Sequence, residues 1–411
     1  MSDGTKIEWT DATWNPITGC TLVSEGCRHC YAARLAATRL RHLPSRQGLA
    51  RLNAAGEAKF TGEVRFNGDV LEQPLRWKRA RMIFVCAHGD LFHESVPDEM
   101  IDRIFAVMAL CPQHTFQVLT KRPERMRAWF SERWQSAPAQ KLSFGTDTID
   151  MPAETRGEDR RDQVNREVEE ICHSSEGMHR RFFDGHNDAL WTPDGASVAG
   201  SFAWPLPNVW LGTSVEDQRR ADERIPELLA TPAAVRFISA EPLLGGIDLT
   251  VMRRGPSEID PGRERVESYW CDGLTGQRGV LMRNGDCLEA PGDFGPHIDW
   301  VIGGGESGPG ARPSHPQWFR DLRDQCASAG VAYFHKQNGN WRPWSAELPA
   351  SRLAFMATDG SVKLDPTKAD LKLAIDQATA GHDLWQLMAD VGKHAAGRLL
   401  DGVEHNAMPV P

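Results

Sequence analysis

No apolar run in the 411 residues approaches the roughly 20 that a membrane-crossing helix needs, so the expectation is a soluble protein with no membrane partner. A signal-peptide pattern and a regular cysteine framework are also missing. Nine cysteines without either fit reduced thiols in a cytoplasmic compartment better than disulfides. No repeat larger than a strand-helix unit is found, and no G-x-G-x-x-G fingerprint opens a helix. At 40% hydrophobic, the chain has enough apolar residues for a sizeable core.

What is present, near the N-terminus, is Thr18-Gly19-Cys20 running to Gly26-Cys27, then Arg28-His29-Cys30-Tyr31. The spacing is C-x6-C-x2-C. Such a loop can wrap three thiolates round one metal centre. Three thiolates on a four-iron cubane leave one iron open to a small molecule, whereas structural zinc closes with a fourth ligand. Glycine before the first two cysteines suits a tight turn of backbone, which needs positive-φ positions without a Cβ. His29 is available as a fourth zinc ligand, but it lies inside the Cys27–Cys30 loop and is badly placed to reach the same ion. Three unrelated buried thiols are the remaining alternative.

Net charge is −9 and unevenly spread: residues 1–130 hold 18 Lys+Arg against 14 Asp+Glu, so the excess of acid lies beyond them. Arg34, Arg39, Arg41, Arg46 and Arg51 follow the cysteines with no acidic residue among them, and Arg76, Lys78, Arg79 and Arg81 come next. This is either a solvated surface or a phosphate-contacting rim beside the cysteine loop.

Residues 6–16 read as a short extended lead-in ending at Asn15-Pro16, and residues 31–43 as a helix stopped by Pro44; residues 45–80 look irregular. From residue 81 short apolar runs alternate with helical stretches, the first helix spanning 97–110. The runs are 82–87, 115–119, 208–212, 235–238, 299–302 and 331–334, with a further strand leading into Cys20. Near-continuous apolar strands alternating with helices predict an α/β fold with a parallel sheet buried on both faces, a partial TIM-type barrel. Groups at the C-terminal strand ends then share one mouth. In this chain they are Asp90, Lys121, Arg122, Ser214, Glu216, Glu241, Glu306, Lys336 and Gln337.

The core is expected over 1–345, interrupted by insertions at 131–207 and 251–297 that lie over the mouth or rim. The first contains the charged run Glu158–Asp162 and the turn-rich stretch 191–195; the second contains hairpin-like pieces such as 278–287. Residues 346–411 are expected to form a C-terminal helical extension packed on the core, in which Lys393 and Arg398 cap a last helix.

The cysteine run, together with Asp90-Leu91-Phe92-His93, Leu119-Thr120-Lys121-Arg122-Pro123, Gly212–Glu216, Ser239-Ala240-Glu241-Pro242-Leu243, Gly304–Gly308, Lys336-Gln337 and Gly392-Lys393 to Gly402, closely resembles a phage-associated family of unknown function. That family is similar to a divergent branch of the radical S-adenosylmethionine enzymes. The likeness to the family covers nearly the whole chain outside the insertions. The likeness to the superfamily rests on three cysteines and a strand-helix series.

The resemblance implies a [4Fe–4S] cluster on Cys20, Cys27 and Cys30 whose open iron chelates S-adenosylmethionine, and an external electron donor of flavodoxin or ferredoxin type. It implies generation of a 5′-deoxyadenosyl radical in the cytoplasm of a bacterial host, from a host or prophage gene. The departures are the six-residue first spacing, where three is usual, and His29 in the customary aromatic position.

Within that picture Asp90 is suited to the cofactor's ammonium and Lys121 or Arg122 to its carboxylate. Ser214 and Glu216 suit the ribose, and the backbone around Gly304 the adenine. Glu241, Glu306 and Lys336 are then left for catalysis on the substrate. No second cysteine group suggests an auxiliary cluster. Nothing in the sequence selects the substrate, although the N-terminal arginines and 14 tryptophans permit nucleic-acid or nucleotide modification or repair. Two other functions stay open: a zinc-stabilised nucleic-acid-binding phage accessory protein, and a metal-dependent phosphoesterase using the strand-end carboxylates Asp90, Glu216, Glu241 and Glu306, with His88 and His93 beside Asp90.

Overall fold

The computed structural model of the chain describes residues 4–5, 7–131, 134–135, 140–144, 147–151, 157–158, 160–174, 202–254, 266–282, 287–345, 350–370, 372 and 385–410. Seven parallel strands form one sheet curled into a half-barrel: β1 (Ala12–Trp14), β2 (Met82–Val85), β3 (Thr115–Thr120), β4 (Val209–Ser214), β5 (Val235–Ala240), β6 (Trp300–Gly304) and β7 (Ala332–Gln337). Their order in space is their order in the chain. The main helices are α1 (Tyr31–Ala37), α2 (Asp98–Ala109), α3 (Pro123–Ser131), α4 (Arg160–Ser174), α5 (Gln218–Leu229) and α6 (Pro316–Ala329). This is the α/β partial TIM-type barrel that the strand rhythm predicts. Several strands run further than expected, taking in Ser214, Ala240 and Gln337.

Side chains alternate across the sheet with period two. Ile83, Val85, Phe116, Val118, Leu211, Ile238, Val301 and Tyr333 belong to the core shared with the helices. Phe84, Trp210, Val235, Phe237, Trp300, Ile302 and Phe334 fill the hollow of the half-barrel together with Trp9. Both faces are therefore dry, and each large side chain so buried contributes about 1.5–3 kcal/mol. The lead-in plugs the hollow: Trp9 packs on Phe84 and Trp300, and its carbonyl accepts from Gln117 Nε2 at 3.2 Å. Gly212 is required there, since a Cβ would meet the Phe237 ring at 2.6 Å. Aromatics occupy the early part of the strands. Two-residue steps along the same face then bring Lys121, Glu241, Gly304 and Lys336 to the open, C-terminal end.

The open edge of β7 is lined by the C-terminal tail. His335 N–H donates to the His405 carbonyl at 2.9 Å, Ala407 N–H to the Tyr333 carbonyl at 3.2 Å, and the Trp300 indole to the Ala407 carbonyl at 2.9 Å.

Three expectations are corrected. Helix α1 stops at Ala37, well short of Pro44, because the Thr38 hydroxyl turns back to the Arg34 carbonyl (2.6 Å) and the chain tightens into turns. The described parts of the two insertions are anchored on the outer helix layer and not over the mouth. In the first, α4 packs on α2, and Arg160, from the charged run, is fully buried against Asp102 and Asp98. In the second, a four-stranded antiparallel sheet (Met252–Arg254, Val266–Cys271, Gln277–Met282, Cys287–Phe294) contains the expected hairpin, and its buried Met252 and Leu274 join the helix-side core. Residues 191–195 lie outside the described residues.

The C-terminal extension is not chiefly helical where described. Trp341–Pro343, Arg352–Ala357, Val362–Leu364 and Trp385–Asp390 make an antiparallel sheet, and the described helical residues of that segment are 368–370, 372 and the single turn Lys393–Ala396. Asp359-Gly360, with Gly360 at φ 92°, supplies the hairpin turn between the second and third of these strands.

Candidate functional site

The cysteine loop grows out of β1. After Asn15-Pro16, Ile17–Thr18 pairs antiparallel with Arg65–Phe66, and the Asn67 amide donates to the Asn15 carbonyl (3.1 Å) and to Thr18 Oγ1 (3.2 Å). Gly19 sits at φ 93° where a Cβ would run into the Glu63 carbonyl, and it bridges Gly89 beyond the end of β2. That bridge is why Cys20 and Asp90 become neighbours. Cys27 ends the one-turn helix Glu25–Cys27, and Cys30 is the N-cap of α1. All three cysteines are free and half-buried at the C-terminal mouth of the sheet.

Four strand ends grip this loop. Beyond β2 and β3, Arg122 donates to Asp90 at 3.0 Å, to Glu94 at 2.7 Å and to Cys20 Sγ at 3.5 Å, and it also reaches Thr21. Beyond β4, the Glu216 carboxylate accepts from Ser24 Oγ (2.8 Å), Lys121 Nζ (2.7 Å) and Arg224 Nη1 (3.0 Å). Gly26 lies against it so closely that a Cβ would overlap the carboxylate. Beyond β6, Glu306 bonds His29 Nδ1 (3.0 Å) and receives Arg312 in a two-nitrogen clasp (2.9 and 2.6 Å), while Arg312 also donates to the Glu25 carbonyl (3.0 Å).

The remaining pair stands apart. Glu241 accepts from Lys336 Nζ (2.7 Å) and Gln337 Nε2 (2.9 Å), with Gly304 beneath it, where a Cβ would come within 3.1 Å. No hydrogen bond or ion pair joins Glu241, Lys336 or Gln337 to the loop among the described residues.

Electrostatics follow from this wiring. Burial alone would raise the Glu216 carboxyl, but Lys121 and Arg224, with the hydrogen bonds from Lys121 and Ser24, outweigh it and hold the group below the usual range. At Glu306 burial is again outweighed, by Arg312 and His29. Burial, then the Asp90 charge, push the Cys20 thiol up to about 12 against the opposing pull of Arg122; burial also raises Cys30, which Lys121 opposes. At Cys20 and Cys30 burial thus favours the neutral thiol, and the neighbouring cations oppose it.

The donor set fits an iron–sulfur group: three thiols, Arg122 pointing a hydrogen-bond donor at Cys20, and the Ser24 hydroxyl 3.9 Å from Cys27 Sγ. Among the described residues no three His, Cys, Asp or Glu side chains converge tightly enough to hold one ion.

The sequence-predicted residues are thus assembled at one mouth, in roles that differ from expectation. Asp90 is filled by four donors, namely Thr120 Oγ1, the Lys121 and Phe92 amides, and Arg122, so little of it is left for a ligand. Lys121 and Arg122 are paired to carboxylates. Ser214 is buried, its carbonyl held by Arg224 at 2.7 Å. Both His88 and His93 turn to protein partners: His88 accepts from Arg46 Nε, and His93 bonds Thr21 and the Ser95 amide. Ser24, Arg224 and Arg312 escape sequence reasoning: Ser24 lies 192 residues from Glu216, and although Arg224 and Arg312 are near Glu216 and Glu306 in the chain, no local pattern marks those pairings. The lysine and arginines at 76–81 precede β2, at the end of the sheet away from the loop, so they are no part of a rim beside it.

Residues 4–409 match the family described as "Protein of unknown function (DUF5131)". The chain belongs to that family. The match runs through both insertions. No curated protein and no solved structure matches the chain. Among the described residues, no helix is long and apolar enough to cross a membrane.

Proposed function

We propose that the protein is a radical S-adenosylmethionine-type iron–sulfur enzyme, of a phage-associated family, that draws its electron from a flavodoxin- or ferredoxin-type donor and acts in the cytoplasm on a nucleic acid or nucleotide. One observation carries the reading: a loop with three free cysteines stands at the open mouth of a parallel half-barrel, and charged residues beyond four strands are committed to holding it there. Cys20, Cys27 and Cys30 would bind the cluster. Once bound, the cluster and S-adenosylmethionine would supply hydrogen-atom abstraction.

The chain's own residues divide into two groups. Asp90, Arg122, Lys121, Glu216 and Glu306 are positioning residues for the loop; Arg122 and Lys121 also favour anionic sulfur at Cys20 and Cys30. Glu241, Lys336 and Gln337, which the loop does not use, are the groups offered to ligand. Their mixed character, one carboxylate, one ammonium and one amide, suits a zwitterionic or amide-bearing ligand, and the backbone approaches closely at Gly304.

Anaerobic reconstitution tests this. Brown protein with about four irons per chain, bleached by dithionite, is expected. The reduced protein should form 5′-deoxyadenosine slowly from S-adenosylmethionine, and Cys27→Ala should lose both properties. Stoichiometric zinc without iron uptake would favour the zinc-stabilised accessory protein. A fully iron-loaded protein that forms no 5′-deoxyadenosine would end the enzyme proposal.

A further inference from the structure

The segment directly after the cysteine loop is a small lobe of its own. Helix α1 turns its Ala33 and Ala36 face onto the hairpin Ala50–Leu52 and Ala58–Phe60, burying Ala50 and Ala58. Alanine allows the helix to lie close on the hairpin and leaves its larger side chains outside. The lobe is tied to the barrel by Thr18 Oγ1, which donates to the Ser45 carbonyl (2.8 Å), and by buried Arg46, which donates to His88 (3.2 Å).

The outer surface of the lobe is one-signed. Residues 28–60 hold seven Arg or Lys and a single carboxylate, Glu57, which faces Arg28 at 3.9 Å. Arg34, Arg39, Arg41, Arg51 and Lys59 are all exposed, and among the described residues none has a carboxylate within salt-bridge distance, although the Glu57 carboxyl feels the Lys59 charge. On α5 and α6, by contrast, surface cations find partners: exposed Arg219 and half-buried Arg220 share Glu223, and half-buried Arg320 and Arg323 share Asp401. A surface that keeps five like charges together unpaired bears a standing repulsion, which a polyanion would relieve.

Two exposed apolar side chains adjoin the cysteines in the chain. Tyr31 is 51% exposed, its ring edge-on to His88 and its buried hydroxyl donating to the Ala87 carbonyl at 2.6 Å, and Leu22 on the loop is 58% exposed. A fixed, half-exposed aromatic ring beside a row of phosphate-binding cations is the pairing that single strands use, stacking bases while the backbone follows the charge. A duplex would keep its bases out of reach of a half-buried loop, whereas an unpaired nucleotide can enter the mouth.

We infer that the lobe formed by residues 28–60 is a docking surface for single-stranded nucleic acid, with Arg34, Arg39, Arg41 and Arg51 on phosphates and Tyr31 stacking a base at the edge of the cysteine loop. This deepens the proposed function and names the substrate class of the same site, but the binding requires neither cluster nor cofactor. Fluorescence anisotropy with a labelled 20-nucleotide single strand and the matching duplex, on metal-free protein, tests it separately. The single strand should bind more tightly than the duplex, with an affinity that falls steeply with salt. Arg39→Glu/Arg41→Glu should weaken it at least tenfold and flatten the logarithmic salt slope by about 0.7 per lost phosphate contact. Tyr31→Leu should cost about fivefold or more with the slope unchanged.

Both arginines are exposed, so the double variant should keep its circular dichroism and, reconstituted, its substrate-free formation of 5′-deoxyadenosine. Absence of binding at low salt, preference for the duplex, preference for anionic phospholipid vesicles, or an unaltered affinity in the double variant would each overturn the inference. Strand binding without any 5′-deoxyadenosine would leave it standing and remove only the proposed chemistry.

Discussion

Arg122 presents one nitrogen, Nη1, both to the Asp90 carboxylate at 3.0 Å and to the Cys20 sulfur at 3.5 Å. The carboxylate fixes the guanidinium and the guanidinium faces the sulfur, so strand β2 orients a thiol of the loop through a residue that follows β3. The arginine side chain is only 5% exposed.

Arg122→Met should therefore act first on stability. It leaves a buried Asp90 carboxylate without its cation, a loss of about 3–5 kcal/mol by chemical denaturation. Combining it with Asp90→Asn should recover part of that loss. An unaltered denaturation midpoint in Arg122→Met would mean that the pair does not hold the loop.

Gly26→Ala separates loop from fold. Its Cβ would overlap the Glu216 carboxylate, forcing that group off Ser24 and Lys121. Far-UV circular dichroism should stay near wild type, the thermal midpoint should fall because a buried ion pair is disturbed, and iron retained after anaerobic gel filtration should fall severalfold. Full iron retention would show that the Ser24–Glu216 contact is dispensable.

Stability should fall as pH drops below neutrality. Burial lowers His315 to about 4, with nearby Arg320 adding to the effect, and burial also lowers His335 to about 4 against an opposing hydrogen bond to Asn338. Unfolded histidine titrates near 6.5, so between about 6.5 and 4 the unfolded chain binds more protons. The stability from each neutral histidine is complete above about 6.5 and is lost on the way to about 4. From pH 7 to pH 5 each should remove about 2 kcal/mol, read by urea denaturation. His335→Gln should make that dependence shallower. For His315, protonation would also abolish the cap that Nδ1 gives to Gln317 N–H at 3.1 Å.

Arg160→Met should be severely destabilising, by about 3–5 kcal/mol, because it strips the guanidinium from buried Asp102 and removes one of the partners of Asp98, which keeps Arg125. Limited trypsin digestion of the intact chain checks this: the variant should be cut between β3 and β4 much faster than wild type. Equal digestion and equal stability would mean that α4 is only loosely appended.

Strands β2 to β7 were legible because each is an apolar run followed by polar or charged residues, and the two-residue alternation that buries Trp210, Phe237 and Trp300 also carries Glu241 and Lys336 to the mouth. The positions of the site residues were legible for the same reason. Their partners were not: Ser24 meets Glu216 across 192 residues of chain and His29 meets Glu306 across 277, distances over which local pattern carries no signal. Arg160 sits in a charged run that reads as solvated, and its partners Asp98 and Asp102 lie in another helix. The sheet at 352–364 was announced by Asp359-Gly360, a turn signal overshadowed by the helical look of the residues beyond it.

The strip of tail along β7 has a consequence for how the molecule comes into being. An eighth strand would close a full barrel; here a few backbone bonds from residues 405–407 and the Trp300 indole seal that margin instead. In vectorial synthesis these residues emerge from the ribosome after all seven strands, so the nascent half-barrel must wait with a naked, adhesive border until its final segment arrives.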